Sequence, residues 1–180
     1  MTDIQDRAIA GVRLVPLTTH PDDRGSVTEI YRRAWLLEAR EMVQSNLSMS
    51  RARVLRGLHF HRRQADYWCV ATGVAFVGLF DLRTGSPTNG VKDEIRIDTA
   101  EQRVALFIPK GVAHGFYAET DLVLQYLVDE YFSGSDEFGV AWNDPGLGIA
   151  WPDPAPILSD RDRSNPPLTE VLQDAPPYES

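Results

Sequence analysis

The sequence predicts one all-β domain, a sandwich or small barrel with short peripheral helices, and three observations carry that prediction. Over residues 11–129 short β-rich runs alternate with turn chemistry, the pattern of closed or stacked antiparallel sheets. A length of 180 residues is near one-domain size and buries a core without disulfides or structural metals. Cys69 is the only cysteine and lies in an apolar run, so no disulfide forms within the chain.

The expected strands, in order, are 12–17, 26–31, 54–61, 67–71, 74–82, 94–98, 104–108, 114–118 and 122–129. Gly, Pro, Asn and Asp punctuate them at 21–25, 85–90 and 109–111, where left-handed or proline-fixed backbone is needed. A short helix is expected over 34–43, because Trp35, Leu36, Ala39 and Met42 share a face at helical spacing. Beyond Asp144 the chain turns Pro- and Asp-rich, with a second short helix near 168–173. The whole of 1–180 reads as a single domain in which 145–180 is a C-terminal lid or edge.

The formal net charge of -8 and a sequence pI near 4.9 exclude a general nucleic-acid or anionic-membrane binder, since either needs a basic face. An anionic ligand would have to be held by a few local arginines. No apolar stretch approaches the roughly 20 residues that span a bilayer, and a cytoplasmic location is expected.

Alternate residues of a strand share a face, so His59 and His61 are expected to point one way, together with Leu55 and Gly57. Asp66, Gly73 and then Pro109-Lys110-Gly111-Val112-Ala113-His114 follow. This His-x-His, acid, Gly and Pro-x-Gly-x-x-His order resembles the two motifs of the cupin superfamily, which implies a cupin jelly-roll β-barrel. On the run 122–129, Leu122, Leu124, Tyr126 and Val128 share a face, which puts a phenol inside the barrel. A buried hydroxyl needs a partner, either a backbone carbonyl or a bound ligand. Taken alone, Asp162 reads as a solvated loop acid.

Longer stretches resemble the dTDP-4-dehydrorhamnose 3,5-epimerase family across nearly the whole chain. They are Asp23-Arg24-Gly25 with Glu29, Gln44-Ser45-Asn46-Leu47-Ser48 and Val54-Leu55-Arg56-Gly57-Leu58-His59-Phe60, then residues 81–88, 108–116, Trp142-Asn143-Asp144-Pro145 and Leu158-Ser159-Asp160-Arg161-Asp162. The resemblance implies that His59 is the base, that Asp162 orients it, and that Tyr126 protonates from the opposite face of the sugar. It implies that Arg24 and Arg56 hold the diphosphate, that Glu29, Gln44 and Asn46 line the nucleotide side, and that His114 lies near the sugar. His61, on the same face as His59, is expected to join the substrate-binding residues. The partner so implied is a dTDP-4-keto-6-deoxy sugar nucleotide, with no cofactor and no metal. A homodimer sharing an N-terminal strand is expected.

The sequence departs from the family beside His59. After Arg-Gly-Leu-His the family carries a glutamine and then a lysine that helps hold the negative oxygen, whereas this chain has His61 and Asp66 in a shorter turn, 61–66. Either Asp66 points away, or Arg62, Arg63 or His61 takes the lysine's place, or the reaction differs. Phe132 follows Tyr131 where the family has a Tyr-Tyr pair. Alternatives therefore stay open: a mono-epimerase, a 3,4-ketoisomerase, a metal-dependent cupin binding through His59, His61, Asp66 and His114, or a non-catalytic binding protein.

Overall fold

Apolar side chains from facing strands meet in one layer and close two sheets face to face. A computed structural model describes residues 3–179. The strands are β1 (Gln5–Asp6), β2 (Arg13–Pro16), β3 (Thr19–Asp22), β4 (Gly25–Thr28), β5 (Gln44–Ser50), β6 (Leu55–Phe60), β7 (Asp66–Thr72), β8 (Val74–Asp81), β9 (Lys92–Asp98), β10 (Val104–Ile108), β11 (Val112–Ala118), β12 (Leu122–Val128) and β13 (Phe138–Gly139). One sheet runs β1-β2-β10-β7-β12-β5 and the other β13-β6-β11-β8-β9, with all their pairings antiparallel. The result is the expected all-β jelly-roll barrel. Among the described residues no helix is long and apolar enough to cross a membrane.

Trp68 and Val70 of β7, Leu106 and Ile108 of β10, Val77 and Leu79 of β8, and Leu122 and Leu124 of β12 meet between the sheets. Their intervening neighbours are also covered. Tyr67, Cys69, Ala105 and Phe107 pack beneath the N-terminal segment that carries Ile30, Tyr31 and Trp35. On the other sheet Leu58, Phe60, Phe80 and Leu82 lie beneath Val140 and beneath Leu147, Leu168 and Val171 of the tail. Strands buried on both faces read as continuous apolar runs, which is why Val104–Ile108 lacks polar alternation. Each fully buried aliphatic contributes about 1.5–3 kcal/mol, so the tail is fixed to the barrel by burial.

The 34–43 helix does not form. Only Arg33–Trp35 makes a 3₁₀ turn, and the Arg33 guanidinium donates to the carbonyls of Leu36, Leu37 and Ala39. Those carbonyls are thereby satisfied outside a helix, while Leu36, Trp35, Ala39 and Met42 still reach the apolar layer below. In the tail, α1 (Asp160–Arg163) and α2 (Leu168–Val171) are single turns, and α2 lies within the expected 168–173. β3 and β4 form a hairpin that pairs with neither large sheet.

Candidate active site

A cavity of about 390 Å³ opens between the sheets. β5 supplies Gln44, Asn46 and Ser48, β12 supplies Leu124, Tyr126 and Val128, β7 supplies Asp66 and Trp68, and β11 supplies His114 and Phe116. Arg56 and His59 enter from β6, and His61 from just beyond it.

The spacing on β6 differs from the expected alternation. The two-residue step from His114 to Phe116 on β11 lies opposite a three-residue step from His59 to Arg56, so β6 carries a bulge. Gly57 sits there at φ +130°, and a Cβ on it would come within 2.6 Å of the Gly115 Cα. Strict alternation would have put Leu55 and Gly57 on the histidine face. The extra residue instead brings Arg56 to the cavity with His59, and Leu55 is buried away from it.

His59 is bonded from the tail. Its Nε2–H donates to Asp162 Oδ1 at 2.5 Å, and the Asp162 side chain is only 5% exposed. Ser159 Oγ caps α1 by accepting from the Asp162 backbone N–H at 3.1 Å. Burial pushes the Asp162 carboxyl up, but the His59 bond, the Ser159 bond and the nearby Arg161 charge outweigh it and hold it below the ordinary 3.8. A carboxylate on Nε2–H leaves Nδ1 as the proton acceptor, and among the described residues that nitrogen has no hydrogen-bond partner.

Tyr126 stands on the opposite sheet, in register with Trp68 and Asn46. No backbone carbonyl accepts from its hydroxyl among the described residues. Burial, with the charges of Asp66 and Glu137, raises its pKa above 10, so the phenol is a neutral donor. Gln44 Nε2 donates to Asn46 Oδ1 at 3.0 Å, and Arg56 Nε donates to Ser50 Oγ at 2.9 Å.

The shortened turn after His61 is anchored by Asp136. Its carboxylate accepts from the backbone N–H groups of Arg62 (2.9 Å) and Arg63 (3.1 Å), and its carbonyl accepts from His61 Nδ1–H at 2.8 Å. Arg62 reaches Asp174 in the tail and Arg63 faces Asp136, so neither lines the cavity. Asp66 does line it, with Oδ1 accepting from Gln64 Nε2 at 2.8 Å and Oδ2 from Trp68 Nε1 at 3.0 Å. His114 donates its Nδ1–H to the Val112 carbonyl at 2.9 Å. Burial drives the His114 pKa down to about 4, against the pull of Asp66 and with the push of His61 and His59.

Two expected site residues stand elsewhere. Arg24 pairs with Asp22 at the tip of the β3-β4 hairpin with its side chain 89% exposed, and Glu29 pairs with Arg32. Neither lines the cavity of its own chain. Conversely, Trp68, Phe116, Glu137 and Arg161 line it without having been singled out. Trp68 was legible as the next same-face residue after Asp66. Arg161 lies beside Asp162 and bonds Glu137 at 2.9 Å. Glu137 had no sequence signal.

Residues 6–170 match the family model described as dTDP-4-dehydrorhamnose 3,5-epimerase. A dTDP-4-dehydrorhamnose 3,5-epimerase of Streptomyces griseus is 36% identical over 173 residues, covering 91% of this chain and 86% of its own. NovW, a 4-keto-6-deoxy sugar epimerase of Streptomyces spheroides, superposes with a TM-score of 0.92 at 32% identity, covering 99% of this chain and 94% of its own. ChmJ, a 3'-monoepimerase of Streptomyces bikiniensis solved with dTDP-quinovose, superposes with a TM-score of 0.88 at 33% identity, covering 97% and 93%.

Proposed function

Because this chain belongs to the dTDP-4-dehydrorhamnose 3,5-epimerase family, we propose that it is an isomerase that inverts C3, C5 or both in a dTDP-4-keto-6-deoxyhexose. One observation carries the reading: His59 and Tyr126 enter the same cavity from facing sheets. A hydrogen on a carbon next to the C4 ketone is acidic because its removal gives an enolate. Returning a proton from the same side restores the starting configuration, so inversion needs a base on one face and an acid on the other. His59 Nδ1 takes the proton, and Asp162 stabilises the imidazolium that forms. Tyr126 delivers a proton to the far face. His59 and Tyr126 then return to their starting states by exchange with solvent.

Arg56, Gln44 and Asn46 lie on the mouth side and suit the nucleotide diphosphate, the guanidinium pairing with phosphate oxygens. His61 and His114 lie deeper, beside the sugar. Arg24 and Glu29 complete the nucleotide site from a second copy of the chain. Three features support a homodimer that exchanges the β3-β4 hairpin: the hairpin pairs with neither large sheet, Val27 on it is 70% exposed, and the edge strand β5 presents Leu47 and Met49 at 66% and 72% exposure.

The test is deuterium uptake from heavy water into dTDP-4-keto-6-deoxyglucose, resolved by carbon. Uptake at C3, C5 or both is expected, with loss on His59→Ala, and the labelled positions tell a double epimerase from a mono-epimerase. No uptake at either carbon would sink the reading.

A further inference from the structure

The cavity floor holds three groups that the proton transfers leave unused. His61, Asp66 and His114 are 5%, 4% and 5% exposed and come from three separate places: just past β6, the start of β7 and the middle of β11. One ligand atom from each lies within 4.8 Å of the others.

Their hydrogen bonds leave these atoms electron-rich. His61 Nδ1 faces the Asp136 carbonyl at 2.8 Å, and His114 Nδ1 faces the Val112 carbonyl at 2.9 Å. A carbonyl oxygen only accepts, so both rings carry their hydrogen on Nδ1 and a neutral ring leaves Nε2 with a bare lone pair. The Asp66 carboxylate is clamped by Gln64 and Trp68. Its Oδ2 stands 3.8 Å from His114 Nε2, too far for a hydrogen bond. Outer partners fix every donor, while the donors themselves share no proton. That is the outer-shell arrangement of a metal site, in which a ligating imidazole gives its other N–H to a carbonyl and a ligating carboxylate is itself hydrogen-bonded.

We infer that His61, Asp66 and His114 form a two-histidine, one-carboxylate site for a first-row divalent transition metal, with its open positions toward the substrate ketone. Bonds of about 2.0–2.2 Å place two ligands of one ion roughly 3–4 Å apart, so small side-chain rotations close the present spacing. Two imidazoles and one oxygen suit Fe(II), Co(II), Mn(II) or Zn(II) rather than Mg(II) or Ca(II). His59 is not a ligand, because Asp162 occupies its Nε2 and the reaction needs its Nδ1.

Charge gives an independent argument. The arginines lining the cavity are Arg56, which is bonded to Ser50, and Arg161, which is bonded to Glu137. Among the described residues no lysine lines it. A growing enolate over this floor would meet a carboxylate and two lone pairs. A dication leaves the floor with a net charge of +1, and when bound it supplies Lewis acidity toward the ketone oxygen without changing oxidation state. The substrate proton still moves to His59, and Tyr126 still delivers a different proton to the far face. This role rests on the epimerase reading, whereas the site itself does not.

The experiment is a Co(II) titration of the chelator-treated full chain, read by visible absorption. One Co(II) per chain is expected, weakened at least tenfold by His61→Ala, by His114→Ala and by the near-isosteric Asp66→Asn, with circular dichroism reporting the fold of each. No Co(II) spectrum in the wild-type chain, or equal binding by folded variants, overturns the site. The keto sugar nucleotide should then shift the Co(II) bands, and deuterium exchange should rise at least tenfold with metal. An unchanged spectrum or metal-independent exchange overturns the ketone role and leaves the epimerase reading standing. Stoichiometric Co(II) binding without exchange under any metal sinks the epimerase reading and leaves the site.

Discussion

His59 Nε2 lies 2.5 Å from Asp162 Oδ1, a bond that ties β6 to a single helical turn 103 residues later in the chain. The tail therefore does more than cover apolar surface, because it sets which imidazole nitrogen faces the cavity. Asp162→Asn keeps the shape but can present its amide N–H to Nε2, turning the ring's hydrogen to Nδ1 and removing the base. A fall of roughly 10²–10⁴ in turnover is expected, with a smaller change in KM. Single-turnover exchange at saturating substrate checks it, and an effect below tenfold would remove Asp162 from the mechanism.

The same bond makes stability depend on pH in a defined direction. The Asp162 carboxyl lies lower in the folded protein than its ordinary 3.8, so the unfolded chain binds the proton more readily. The pair's stabilisation is present above pH 3.8 and is lost as the pH falls from there through the folded value. Urea unfolding across this window should therefore show a steeper acid loss for the wild-type chain than for Asp162→Asn. Parallel curves for the two proteins would contradict the assignment.

Gly57 is where the backbone fixes the site. Its positive φ and the 2.6 Å approach to Gly115 leave no room for a side chain. Gly57→Ala should cost roughly 1–3 kcal/mol from backbone strain and overpacking together. It should also lower turnover, because the bulge is what aims Arg56 and His59 into one cavity. Denaturant midpoints beside exchange rates separate the two effects, and a variant with wild-type values in both would show that the bulge is dispensable.

These positions also show what the sequence carried. The core strands were readable because both faces are apolar, and Tyr126 was placed inside the barrel by simple alternation. β5 escaped notice as a strand for the opposite reason: Gln44, Asn46 and Ser48 face the cavity while Leu47 and Met49 face outward, an inverted amphipathic pattern. The bulge at Gly57 broke the period-2 reading of its neighbours, since one extra residue flips every side chain before it. Asp136, which locks the 61–66 turn, lies about 70 residues away in sequence and no local rule points to it. The Asp162 contact was expected only through family resemblance, because loop acids carry no signal of their partners.

Arg24 and His59 stand in different parts of one chain, the first exposed on a hairpin and the second lining the cavity. If the hairpin completes the cavity of a second copy, each site joins His59 of one chain to Arg24 of the other. Arg24→Ala and His59→Ala should each be poorly active alone. Mixed after mild unfolding and refolding, half of the dimers are hybrid, and each hybrid has one site with both residues intact. Activity should therefore recover to about one quarter of the wild-type value in a two-fold symmetric dimer. An unrecovered mixture, with dimers shown by light scattering, would show that Arg24 does not complete the partner's site; an active Arg24→Ala would place Arg24 outside the site; and a monomer at working concentration would remove the shared hairpin altogether.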